Sequence, residues 1–85
     1  MLKLMSFILR SKQRTKIIKR LSLQKTPTQI ADETKLAISH ISRTLKEFKN
    51  KGIVECLTPK EKIGRIYQLT KKGKQVLKKL LEMEK

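Results

Sequence analysis

Between Thr26 and Gly73 the order of local signals leaves few folds open. Thr26-Pro27-Thr28-Gln29 starts a helix. The threonine can accept from a backbone N–H, proline suits the first helical position, and Gln29 sits where its side chain reaches back to the cap. This helix is short and ends near Thr34, with Ile30 and Ala31 pointing inward; the small Ala31 lets the next helix come close. A second helix starts around Ile38 and ends at Gly52, a residue able to take the left-handed conformation that closes a helix. Ile41, Leu45 and Phe48 lie at i, i+4 and i+7 and make its buried stripe. Lys49 and Lys51 suit the negative end of its dipole.

A hairpin follows. Ile53–Leu57 is β-branched and apolar enough for a strand. Thr58-Pro59 breaks it, Lys60–Gly64 is a polar, basic loop, and Arg65–Leu69 is the return strand, so the hairpin has a long tip. Thr70 caps a last amphipathic helix, with Val76, Leu77, Leu80, Leu81 and Met83 on its apolar side and Lys74, Lys78 and Lys79 exposed. Upstream, residues 3–22 read as helical: Leu4, Phe7 and Ile8 share one spacing, and Ile17, Ile18 and Leu21 repeat it. Ser11 can cap a second piece, so the pattern fits one helix or two with a kink. The opposite face carries Arg10, Lys12, Arg14, Lys16, Lys19 and Arg20.

Eighty-five residues make one domain, 1–85. Its expected parts are a helical segment 3–22, a helix pair 26–51, a hairpin 53–69 and a last helix 71–84. The class is mainly α with a small β-hairpin. A domain of this size buries only about 60% of the surface its unfolded chain exposes, and self-association is one remedy. The 22 Lys and Arg outnumber the 7 Asp and Glu, for a formal charge of +15. These charges interleave with apolar residues, which excludes a disordered basic tail. Such a domain repels itself unless a polyanion neutralises it. Nucleic acid and an anionic membrane surface are the candidates, beside generally solvated lysines.

Cys56 is the single cysteine, so no disulfide forms within the chain and a reducing cytoplasm fits. It reads as a buried or half-buried strand residue. The N-terminal apolar run is short and interrupted by Lys3, and no run approaches the roughly 20 residues that span a bilayer. A soluble, cytoplasmic protein is expected. One histidine, one cysteine and scattered carboxylates offer no nucleophile–base pair, metal spacing or phosphate-cradling loop. No enzyme activity, metal or cofactor is expected.

The segments LAISHISRTLKEFKNKGIVE and GRIYQLTKKGKQVLKKL resemble the recognition helix, wing and final helix of winged helix-turn-helix transcription regulators of the MarR-like and ArsR-like groups of archaea and bacteria. The resemblance covers roughly residues 11–81. It departs from the pattern at the tight turn, where Lys35 stands in place of a frequent glycine, and at the recognition-helix cap, where Ala37 stands in place of Ser or Thr. The chain is also shorter than most MarR-like proteins, so their longer dimerising helices and ligand pocket are expected to be missing. The resemblance implies a three-helix core with a wing and a C-terminal helix. It also implies a sequence-specific regulator that places helix 38–51 in the major groove of double-stranded DNA and wing 58–65 on the adjacent groove or backbone.

On that reading Ser39, His40, Ser42, Arg43 and Lys46 are the candidate contacts of the recognition helix, on or near an exposed face shared with Thr44 and Glu47. Arg43 can pair with guanine O6 and N7; its alternative is an ion pair with Glu47 one turn on. Ser42 can contact DNA or pack partly inward. His40 is a contact or a plain exposed residue, and Ile38 touches a thymine methyl or covers the helix start. Thr28 and Gln29 suit a phosphate, capping, or both. Lys60, Lys62 and Arg65 form a groove-binding wing or a solvated tip; Tyr67 is core rather than a stacking platform. Apolar residues beyond what the core needs point to a homodimer through Leu4, Phe7, Ile8, Leu77, Leu80 and Leu81. Its site would be a pseudo-palindrome with half-sites about 34 Å apart, near the nucleoid. Two other functions fit the same fold: an adaptor whose recognition helix touches protein, and a non-specific DNA- or RNA-binding protein.

Overall fold

The computed structural model describes residues 2–84; Met1 and Lys85, the ends of the expected domain, lie outside the described residues. The elements run α1 (Leu2–Leu9), α2 (Lys12–Arg20), α3 (Pro27–Thr34), α4 (Ile38–Asn50), β1 (Val54–Cys56), β2 (Tyr67–Leu69) and α5 (Lys71–Met83).

The N-terminal segment is two helices, not one. Ser11 leaves the helical conformation, and its hydroxyl accepts from the Arg14 N–H at 3.2 Å. A fresh cap of this kind satisfies one of the free donors at the start of α2. The break lets Ile8 of α1 and Ile17 and Ile18 of α2 enter one core.

At the start of α3 the Thr26 hydroxyl accepts from the Gln29 N–H at 3.2 Å, and the Gln29 carboxamide oxygen accepts from the Thr26 N–H at 2.9 Å. Helix α3 ends at Lys35, which adopts a left-handed conformation with φ 62°. Helix α4 opens at Ala37 with no side-chain cap. It closes at Gly52, with φ 75°, after which the Ile53 N–H donates to the Phe48 carbonyl at 2.8 Å.

Strands β1 and β2 pair antiparallel, Val54 with Leu69 and Cys56 with Tyr67. They are shorter than the expected 53–57 and 65–69, because the ladder stops where the wing loop diverges. Strand β2 has a second neighbour. Lys25 donates its N–H to the Tyr67 carbonyl at 3.0 Å, and the Tyr67 N–H donates to the Lys25 carbonyl at 2.8 Å. The segment before α3 is thereby tied to the wing.

The core is a single cluster in which α1, α2, α3, α4, β1 and α5 all take part, with Ile8, Ile30, Ile41, Phe48, Ile53 and Val76 fully enclosed. Three features correct the sequence-based expectations. Thr44 is only 3% exposed and joins the inner face of α4 rather than its outer one. The reason is that α2 packs beside α4 and widens the buried stripe. Ile8, Leu77 and Leu80 are buried within the chain's own core, since α1 and α5 pack on each other and on the shared cluster. They therefore offer no free surface for a dimer. Leu4 and Phe7 are half-buried against the same core, and of the six expected dimer residues Leu81 alone is exposed. Among the described residues, no helix is long and apolar enough to cross a membrane.

Candidate nucleic-acid interface

Helix α4 presents three lengthwise stripes. Ile41, Thr44, Leu45 and Phe48 face the core. Ser39, Arg43, Lys46 and Asn50 are exposed, and helical spacing places them on the side opposite that core. Ile38, Ser42, Lys46 and Lys49 flank the wing.

Across from that third stripe stand Lys62, Ile63, Gly64 and Arg65 of the wing, with Pro27, Thr28 and Tyr67 at the base. Together they line a groove of about 590 Å³. Among the described residues four cationic side chains border it, Lys46, Lys49, Lys62 and Arg65, and no carboxylate lines it. Opposed cations with low-dielectric walls between them focus a positive potential into the groove.

The wing is pinned at its root and open at its tip. Leu57 donates its N–H to the Ile66 carbonyl at 2.7 Å, and the Ile66 N–H donates to the Thr58 hydroxyl at 2.9 Å. Gly64 turns the loop with φ 73°. Arg65 donates from Nε to the Glu61 carbonyl, leaving the remaining donors of its guanidinium outside that bond.

On the other flank, His40, Arg43, Thr44 and Glu47 adjoin Arg10, Ser11 and Arg14 around a hollow of about 330 Å³. Glu47 lies 3.6 Å from the Arg14 guanidinium. Arg14 also donates to the Phe7 carbonyl at 2.9 Å and stacks over the Phe7 ring at 3.9 Å. Glu47, the alternative partner for Arg43, pairs with Arg14 instead, and among the described residues Arg43 forms no ion pair.

The expected site residues divide accordingly. Thr28, Ile38, Ser42, Lys46, Lys62 and Arg65 meet at the wing groove. Ser42 is exposed rather than tucked inward, and Ile38 is exposed too, which leaves its side chain available. Ser39 and Arg43 are on the outer face, with Arg43 also bordering the second hollow. His40 is half-buried on the far flank, away from the wing. Gln29 is engaged in the capping box through its carboxamide oxygen. Lys60 is exposed in the wing but outside the groove lining. Lys49 and Ile63 are groove residues that sequence reasoning passed over. Extending the stripe Ile38, Ser42, Lys46 by three residues would have found Lys49; nothing local marks Ile63. Cys56 is half-buried in β1.

With this geometry in view, likeness to known proteins is informative. The sequence profile of the Crp-like helix-turn-helix domain matches residues 2–71, and the chain belongs to this family of winged helix-turn-helix regulators. Among solved structures it is similar to a MarR family transcription regulator at 27% identity and a TM-score of 0.75, over 82% of this chain and 48% of the other. It is similar to the transcriptional regulator BldR from Sulfolobus solfataricus at 26% identity and a TM-score of 0.70, over 80% of this chain and 50% of that one. A cysteine-to-serine mutant of MarR from E. coli, solved with operator DNA, shares the fold at 23% identity and a TM-score of 0.70, over 91% of this chain and 60% of that one. The chain therefore spans roughly half to three-fifths of the length of these regulators. A comparison with curated protein sequences finds no significant match.

Proposed function

We propose that the protein is a transcription regulator, not an enzyme, that binds double-stranded DNA sequence-specifically. Helix α4 enters the major groove and wing 58–65 lies along the adjacent groove or backbone. The observation that carries this reading is the carboxylate-free groove between Lys46 and Lys49 of α4 and Lys62 and Arg65 of the wing, beside an Arg43 with no ion-pair partner among the described residues. A phosphate strand running between helix and wing meets cations on both sides. Arg43, Ser39 and Lys46 project toward base edges, where a planar guanidinium distinguishes guanine by two hydrogen bonds. Thr28, at the start of α3, positions the backbone without reading sequence. The operator-bound relative of the same fold supports this assignment.

The protein works as a homodimer on a pseudo-palindromic site in the cytoplasm, close to the nucleoid. The surface for pairing is the apolar groove of about 680 Å³ between α1 and α5, where Leu2, Leu9 and Met83 are exposed. It replaces the buried Ile8, Leu77 and Leu80.

Fluorescence anisotropy on labelled duplex from the chain's own promoter region, against a scrambled duplex at several salt concentrations, tests the function. A large affinity ratio that persists at physiological salt supports a sequence-specific regulator. Equal affinities that collapse together with salt would reduce it to a general nucleic-acid binder. No binding at low salt would favour a protein-contacting adaptor.

A further inference from the structure

The proposed duplex interface uses only part of the protein's positive charge. Arg43, Lys46, Lys49, Lys60, Lys62 and Arg65 are six of 22 basic residues. A second concentration lies on α5, where Lys71, Lys72, Lys74, Lys78 and Lys79 are all exposed. The inner side of this helix, Gly73, Val76, Leu77 and Leu80, is committed to the core. Of the two carboxylates at its end, Glu82 adjoins Lys78 and Lys79, and Glu84, just past the helix end, is held by Lys19 of α2 at 2.6 Å. Among the described residues, none of the five lysines forms an ion pair.

Lys71, Lys74 and Lys78 follow one another at i, i+3 and i+7, a column about 10 Å long at 1.5 Å per residue. Like charges at these spacings repel each other along a helix, and a polyanion laid across them removes the repulsion. The column is separate from the duplex groove, whose lining contains no residue of α5. Helices α4 and α5 bury their apolar sides in the same core, and each turns its charged side away from it. Lys79 and Met83 lie instead beside α1, at the apolar groove.

We propose that the Lys71–Lys74–Lys78 column of α5 binds the phosphate backbone of a second DNA segment, so that one molecule links two stretches of duplex. This rests on the reading of the α4–wing groove as a duplex site. DNA is the polyanion that fits because, once the first segment is bound, further segments of the same polymer are held nearby at high effective concentration. A lipid surface fits less well, because the apolar side of α5 is already packed inward.

The experiment immobilises a promoter duplex on beads, adds the protein, and measures capture of a second, labelled duplex at physiological salt. Wild type should capture it. K71Q/K74Q/K78Q should keep its affinity for the first duplex within twofold while capture falls at least fivefold. Equal capture by this variant would overturn the proposal and assign linking to paired recognition helices. Failure of wild type to capture, with single-duplex binding intact, would overturn it while leaving the duplex reading standing. Loss of single-duplex binding in wild type would remove both. If phosphatidylglycerol vesicles are captured in place of the second duplex, and only by wild type, the column is a membrane contact and the proposal fails.

Discussion

Arg14 on α2 reaches Glu47 on α4 at 3.6 Å, so the carboxylate one turn along the helix from Arg43 faces a cation of α2. The same guanidinium caps the Phe7 ring and bonds the Phe7 carbonyl, which ties the α1–α2 corner to the back of α4. A scaffold residue thus supplies the cation nearest Glu47, while among the described residues Arg43 forms no ion pair.

Arg43→Ala should lower affinity for the preferred duplex by roughly 5- to 150-fold, from about 1–3 kcal/mol of base discrimination. Preference should relax at one base pair only. Arg14→Ala frees Glu47 to pair with Arg43 and should weaken the same preference; R14A/E47Q should restore it while remaining less stable than wild type. Competition titrations against single-base-pair variants of the site, with thermal melts, read both effects. Unchanged preference in Arg43→Ala would show that another residue reads the base.

The wing is expected to act on the backbone rather than on sequence. Lys62→Ala should weaken every duplex by a similar factor and reduce the slope of log affinity against log salt by about 0.9, the contribution of one phosphate contact. Binding isotherms at four or more salt concentrations, on specific and scrambled duplexes, measure it. A loss confined to the specific duplex contradicts the assignment.

Gly73 sits in the first turn of α5, where alanine ordinarily favours a helix by about 1 kcal/mol. Here the sign reverses. A Cβ at this position would lie 2.0 Å from the Ile53 carbonyl oxygen, a backbone atom that cannot swing aside. Overpacking of this kind costs about 1–3 kcal/mol or more. Gly73→Ala should therefore lower the midpoint of urea unfolding, with the slope unchanged. A stabilised variant would mean that β1 and α5 can separate at little cost.

Lys35 carries a Cβ in the left-handed region, at φ 62°, which costs about 1 kcal/mol. Lys35→Gly removes that cost and should stabilise the protein by a few tenths of a kcal/mol, up to about 0.5, since glycine's greater freedom in the unfolded chain offsets most of the gain. DNA binding should change little, as Lys35 borders neither flank of α4. Chemical denaturation with parallel anisotropy checks both statements.

Much of the scaffold of the candidate site was legible because its determinants are local. The capping box at Thr26 and Gln29, the left-handed Lys35, the uncapped Ala37 and the terminating Gly52 each depend on residues within one turn of chain. Local backbone sterics and hydrogen bonding decide them alone. The stripe Ile41, Leu45, Phe48 is likewise a property of helical period, so the outer position of Arg43 and Lys46 followed from the order of residues.

Other features were set by neighbours distant in sequence. Thr44 became part of the core because α2 came to lie beside it, and a periodic pattern carries no record of which helix arrives. Ile8, Leu77 and Leu80 fit either a dimer surface or an interior equally well, since burial removes apolar area from water whichever chain supplies the cover. The bridge between Lys25 and Tyr67, the hold of Arg14 on Glu47 and the meeting of Lys49 with Ile63 join residues that carry no mutual signal along the chain. The sequence by itself determined the elements, their caps and which side of α4 faces outward, because these rest on short-range geometry. Only the tertiary structure decided which cations share a groove and which carboxylate is taken, because Coulomb and packing energies depend on distances that folding alone creates.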